Sequence, residues 1–195
     1  MRKTSVVLLA LLAGLAVLGL SGCTLFSSPL DRANTAIEDG NAHIRKYQAS
    51  EEKVSGIATE LNSLNATTAA DASKALDLVG QLTGELAVQK TELAAAADAI
   101  AQVQSLDVDE AFKKYGELEV AALGAQSAVV AEGEKYYAEM SRHYTAIRDG
   151  KSDQALTAEI LKNIDTLSQR IAELSKTASD AKSAADTQFG IVSAK

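Results

Sequence analysis

Four stretches of the chain repeat apolar residues at alternating steps of three and four, the spacing that gathers side chains on one face of an α-helix. The last is the most regular, running Ile160, Ile164, Leu167, Ile171, Leu174, Ala178, Ala181 and Ala185. The second reads Ala75, Val79, Leu82, Leu86, Gln89, Leu93, Ala96, Ile100 and Val103. The third keeps the rhythm through Val108, Ala111, Tyr115, Leu118, Ala122, Ala125 and Val129, then less cleanly through Tyr136, Met140, Tyr144 and Ile147. The first is weaker and interrupted: Ile37, Gly40, Ile44, Tyr47, Glu51, Val54, Ala58, Leu61.

Three breaks separate these stripes. Asn62 to Thr68 gathers residues that compete for backbone hydrogen bonds, and Thr68 or Asp71 can cap a new helix. Ser105 to Glu110 places Asp107 three residues before Glu110 in the manner of a capping box. Asp149-Gly150-Lys151-Ser152-Asp153 is the clearest turn, with Arg148 suited to the preceding helix C-terminus. The predicted helices span 31–64, 69–104, 108–148 and 153–192.

Long amphipathic helices joined by short links must turn back on one another. Stripes of the a/d type favour left-handed packing at about 20°. The predicted class is therefore all-α: an elongated, antiparallel, up-down-up-down four-helix bundle with coiled-coil-like packing, its near-equal helices closing on all sides. A three-helix array is the alternative if Ser105 to Glu110 is not a turn or the first helix docks only in part. Pro29 is the sole proline and aromatic residues are 4% of the chain, so no helix breaker follows it and strands are not expected. Seven glycines, Gly40, Gly56, Gly80, Gly84, Gly116, Gly124 and Gly133, fall inside predicted helices. Local bending is expected near Gly80 and Gly84 and from Gly124 to Gly133.

The N-terminus has a different pattern. Arg2 and Lys3 precede 15 uninterrupted apolar or glycine residues, Val6 to Leu20. Such a run covers roughly 22 Å as a helix, short of the ~30 Å hydrocarbon core, and reads as a signal peptide. It ends in Leu20-Ser21-Gly22-Cys23, which holds the one cysteine of the chain. This segment resembles the lipobox of bacterial lipoproteins. The resemblance implies that the Cys23 thiol receives diacylglycerol, with acyl chains such as palmitate, before cleavage leaves Cys23 as the first residue. The implied organisation is a signal peptide over 1–22, a lipidated cysteine and short tether over 23–30, and a single helical domain over 31–195. The implied location is extracytoplasmic, lipid-anchored to the bacterial cell membrane. Thr24, where an inner-membrane retention signal would have aspartate, directs the anchor to the outer membrane in a two-membrane cell.

Charge adds to this. Loss of Arg2 and Lys3 takes the formal charge of the chain from −7 to −9, which disfavours nucleic acid and gives no electrostatic pull towards anionic headgroups. A single cysteine excludes a disulfide framework and Cys-based metal sites.

The candidates for chemistry are few. His43 and His143 each follow a carboxylate by four residues, Asp39 and Glu139, yet two histidines make a sparse metal set and read as solvated surface residues. Glu51, Gln89 and Glu132 lie on or beside apolar stripes, where they set register or sit partly exposed. No Glu-x-x-His pair of the di-iron type, Gly-rich phosphate loop or Gly-x-Ser-x-Gly elbow is present. No catalytic residue, cofactor or metal is assigned, and an enzyme is not expected. The third helix concentrates Tyr136, Tyr137, Glu139, Arg142, His143, Tyr144 and Arg148 near its end. Tyr136, Met140, Tyr144 and Ile147 share one face and read as core, which leaves Tyr137, Arg142, His143 and Arg148 as the candidate partner surface.

A lipobox followed by long acidic helices is similar to the cell-wall-binding lipoproteins of Gram-positive bacteria. That likeness implies a non-catalytic envelope lipoprotein, a structural or interaction module at the membrane surface with peptidoglycan or an envelope protein as partner. The alternative is a helical bundle that binds a small molecule or ion. Leu76, Leu78 and Ala87, with Leu156 and Leu161, lie outside the main stripes; they are read as widening the core, with a homodimer as the other outlet.

Overall fold

The computed structural model describes residues 28–193; the signal-peptide, lipobox and Cys23 readings lie outside the described residues. Four α-helices account for nearly all of it: α1 Pro29–Ser63, α2 Ala69–Ala101, α3 Glu110–Arg148 and α4 Gln154–Ser193. A 3-10 turn, Gln102–Ser105, extends α2 before the link to α3. The protein is an all-α, up-down-up-down four-helix bundle. With 33 to 40 residues each, the helices run about 50–60 Å.

Each start has a local cause. Ser28 caps α1: its hydroxyl accepts from the Asp31 amide at 3.1 Å, and its own amide donates to the Asp31 carboxylate at 3.0 Å, with Pro29 in the first turn. The helix thus begins two residues earlier than its apolar stripe predicts. Thr68 caps α2 by accepting from the Asp71 amide at 3.2 Å. For α3 the cap is Asp109, accepting from the Ala111 amide at 2.7 Å, which corrects the expected Asp107. Asp153 accepts from the Leu156 amide at 2.8 Å at the start of α4. The turn before it places Gly150 at φ 64°, a conformation glycine adopts without steric cost.

All nine positions of the α2 stripe are buried, Gln89 included. The helix earns that burial by lying between α1 and α3, and its side chains run through two of three apolar clusters stacked along the bundle, with the 3-10 turn's Val103 entering the third. At one end Ala33, Ala36 and Ile37 meet Val103, Leu106, Tyr115 and Val192. The middle holds Tyr47, Leu86, Leu93, Ala96, Ile100, Leu123 and Val130. Towards the other end Leu61 packs with Ala75, Leu78, Val79 and Leu82, backed by Met140 and Tyr144. Leu78 thereby widens the core, as its place outside the main stripe suggested, whereas Ala87 and Leu161, expected to do the same, are exposed.

The helices pack in chain order, α1 on α2, α2 on α3 and α3 on α4, and no Cα of α1 lies within 8 Å of one in α4. The expected close packing of the first helix on the last is therefore not made along their length, although Val192 of α4 joins the end cluster with Ala33, Ala36 and Ile37 of α1. This explains why α4, with the most regular stripe, is the least buried. Ile160, Ala178 and Ala185 are covered, whereas Ile164, Leu167, Ile171, Leu174 and Ala181 remain half-exposed. A stripe with one neighbouring helix instead of two is covered on one flank. The opposite holds for α3, which touches helices on two sides and buries Gly116, Glu119, Leu123 and Val130 beyond its expected stripe.

Candidate functional site

Among the described residues four polar ones are buried: Ser50, Gln89, Glu119 and Glu132. Ser50, Glu119 and Glu132 meet partners across helix–helix seams. Between α1 and α2, the Ser50 hydroxyl lies 2.8 Å from the Glu85 carboxylate, which also receives the Lys53 ammonium at 3.1 Å. These donors hold the Glu85 carboxyl below its usual range. His43 lies 2.6 Å from Glu92 on the same seam, with Lys46 at 3.7 Å, and the His43 contact holds Glu92 low in the same way.

Across α1 and α3, the Tyr47 hydroxyl donates to Glu51 and accepts from the Gln126 amide at 2.6 Å. Burial pushes both Tyr47 and Glu51 up, and for Glu51 the tyrosine hydrogen bond opposes it. The trio satisfies polar groups that packing has removed from water.

The seam between α3 and α4 is mainly ionic. Arg142 meets Glu159 at 2.9 Å, Glu132 meets Arg170 at 3.1 Å, and Glu119 meets Lys182 at 3.4 Å. Moving from 142 to 132 to 119 down α3, steps of 10 and 13, is matched by 159 to 170 to 182 along α4, steps of 11 and 12. The three pairs are rungs of one antiparallel register. Their buried carboxylates differ. Glu132 also takes Lys135 at 2.9 Å, and that hydrogen bond leads the causes holding it below its usual value. Glu119 has one cation, Lys182, which it shares with Asp186; burial outweighs the attraction and pushes Glu119 up.

The predicted polar positions do not converge. Glu51 bonds Tyr47 beside α3, Glu132 faces the α4 cations, and Gln89 is buried on α2. Among the described residues no three His, Asp or Glu side chains are grouped as metal ligands. Of the predicted partner surface, Tyr137 goes to the core, packed between the middle and far clusters with its ring 5.2 Å from Tyr136, and burial pushes its hydroxyl up to about 12. Arg142 belongs to the ionic ladder, Arg148 bonds Asp149 at 2.8 Å, and the His143 ring lies 5.5 Å from Tyr144 with its Nδ1 shielded from solvent and lacking a hydrogen bond. Arg142 and Arg148 alone of the four present exposed charge.

Glu119 and Ser50 escaped the sequence reading. Glu119 follows Tyr115 by four residues, so a stripe two helices wide on α3 would have included it. Where Ile160 and Ala178 bracket a stretch of α4 with no buried residue, an open groove of about 500 Å³ is lined by Lys135, Ala138, Glu139, Asn163, Thr166 and Leu167. Glu139 Oε2 there is shielded, lacks a hydrogen bond, and lies 3.5 Å from Arg142. No helix among the described residues is long and apolar enough to cross a membrane.

No protein-family model matches the chain, and neither a curated protein nor a solved structure shows significant similarity to it.

Proposed function

We propose that the chain is a non-catalytic lipoprotein of the bacterial cell envelope, held outside the cytoplasm by acyl chains on Cys23 and presenting its helices as a structural or interaction module to the cell wall or an envelope protein. One observation carries this reading: basic Arg2 and Lys3, the apolar run Val6 to Leu20 and the box Leu20-Ser21-Gly22-Cys23 occur in that order, and the capped helix α1 starts at Pro29. Two or three acyl chains at about 0.8 kcal/mol per buried CH2 anchor a soluble domain durably. The interior supports a scaffold role, because Ser50, Tyr47, Glu119 and Glu132 are matched to partners on neighbouring helices and so fix register.

The test is chemical crosslinking of the intact lipoprotein on cells, read by mass spectrometry, beside co-sedimentation with purified peptidoglycan. Sedimentation with wall, or a reproducible envelope partner, supports the module; recovery of neither sinks it. The second reading, a bundle that binds a small molecule or ion, has in its favour the groove beside Glu139. Calorimetric titration with small cationic ligands tests it, and heat that survives Glu139→Gln counts against that groove.

A further inference from the structure

We propose that the bundle stands end-on on the bilayer, with Leu30 and Ile191 as an apolar foot seated at the boundary between headgroups and acyl chains. This rests on the lipid-anchored reading of Cys23 and adds to it an orientation and a contact surface. The up-down-up-down path brings the first turn of α1, the 3-10 turn after α2, the start of α3 and the last turn of α4 to one end, where Ala33, Val103, Leu106, Tyr115 and Val192 form a cluster. Leu30 lies one turn before Ala33 and Ile191 is next to Val192, and their side chains are 47% and 50% exposed. Both are large apolar groups left in water beside a filled core.

The chain outside the structure says what covers them. Cys23 and Pro29 are six residues apart, a reach of about 20 Å when extended, against a bundle of about 50–60 Å. An acylated Cys23 therefore keeps this end, and not the far one, beside the membrane. The linker sequence Thr24-Leu25-Phe26-Ser27-Ser28 includes two large apolar residues, Leu25 and Phe26. A tether this short raises the local concentration of bilayer around the foot, so two partly exposed apolar residues suffice for contact. Charge does not supply the attraction, since among the described residues Asp31, Asp107, Asp109 and Glu110 outnumber Arg32, Lys113 and Lys114 there. Lying flat would press charged helix flanks onto the lipid, whereas standing buries the foot. The turns at the far end are then carried some 50 Å outward.

The chain has no tryptophan, so single reporters read depth directly. Lipidated full-length protein carrying Leu30→Trp, Ile191→Trp, Val88→Trp or Leu161→Trp is reconstituted in phosphatidylcholine–phosphatidylglycerol vesicles containing brominated acyl chains. Circular dichroism confirms that each exposed-site variant is folded. Standing predicts loss of most emission and a blue shift at positions 30 and 191, with emission at 88 and 161 unchanged. Quenching at 30 without quenching at 191, or quenching at 88, overturns the orientation while leaving the anchor intact. A Cys23 without acyl mass overturns the anchor and the foot together.

Discussion

Gly40 of α1 meets Ile100 of α2 so closely that a Cβ at position 40 would lie 2.5 Å from Ile100 Cγ1 and 2.8 Å from its Cδ1. The carbonyl of Ala96 stands 3.3 Å from the same point, so backbone as well as side chain fixes the approach. Gly40→Ala should lower the urea-unfolding free energy by about 1–3 kcal/mol through overpacking. Gly56, with nothing within 4 Å, is the control: Gly56→Ala should raise stability by up to about 1 kcal/mol, as an exposed helical glycine does. Equal effects of the two substitutions would contradict this packing of α1 on α2.

Core and surface leucines separate in the same way. Leu82 is fully buried, and Leu82→Ala should cost about 2–5 kcal/mol. Leu161 is 52% exposed, and Leu161→Ala should change stability by no more than about 0.5 kcal/mol. A large loss at Leu161 would mean that a second chain covers α4, which concentration-dependent unfolding would reveal.

The least buried helix should open first. With α3 as its closest neighbour and no buried residue over 161–177, α4 is held there in part by the Glu132–Arg170 and Glu119–Lys182 pairs. Hydrogen exchange should be fastest in 161–177 and slowest in α2, and added salt should speed exchange in α4 more than in α2 as it screens the ladder. Equal protection of α2 and α4 would contradict the open arrangement.

How much of this was legible in sequence depended on how many neighbours a helix has. The α2 stripe was read residue by residue because a helix buried between two others hides its whole main stripe, while Val88 off that stripe stays exposed. On α4 the same regularity overstated burial, because periodicity records which face is apolar and not whether two helices or one cover it. Tyr137 was misplaced onto a surface for a related reason: α3 has a second buried face, towards α2, that a single stripe through Tyr136 and Tyr144 does not include. The long-range pairs Tyr47–Gln126 and Glu132–Arg170 required register between helices, which no local pattern encodes.

Acid should act in two directions. Glu119 and Glu51 are raised by burial, so the folded state binds their protons more tightly than the unfolded chain does. Their contribution is present in mild acid and is lost as pH rises from the ordinary carboxylate range through their raised values. Glu85, Glu92, Glu132 and Asp149 are lowered, and they stabilise above that range and lose the effect as pH falls below it. Urea midpoints measured between about pH 4 and 8 should peak in mild acid. Glu119→Gln should flatten the decline towards neutral pH, and an unchanged slope would show that Glu119 does not titrate as described.

Anchoring of the module depends on Cys23. Intact-mass measurement of the protein extracted from membranes, beside Cys23→Ser, tests it most directly. A lipid anchor at Cys23 requires a chain that begins at residue 23 with an acylated cysteine and partitions into detergent, and a Cys23→Ser variant that keeps residues 1–22 and carries no acyl mass. A wild-type chain with residues 1–22 still attached and a free Cys23 thiol would contradict it.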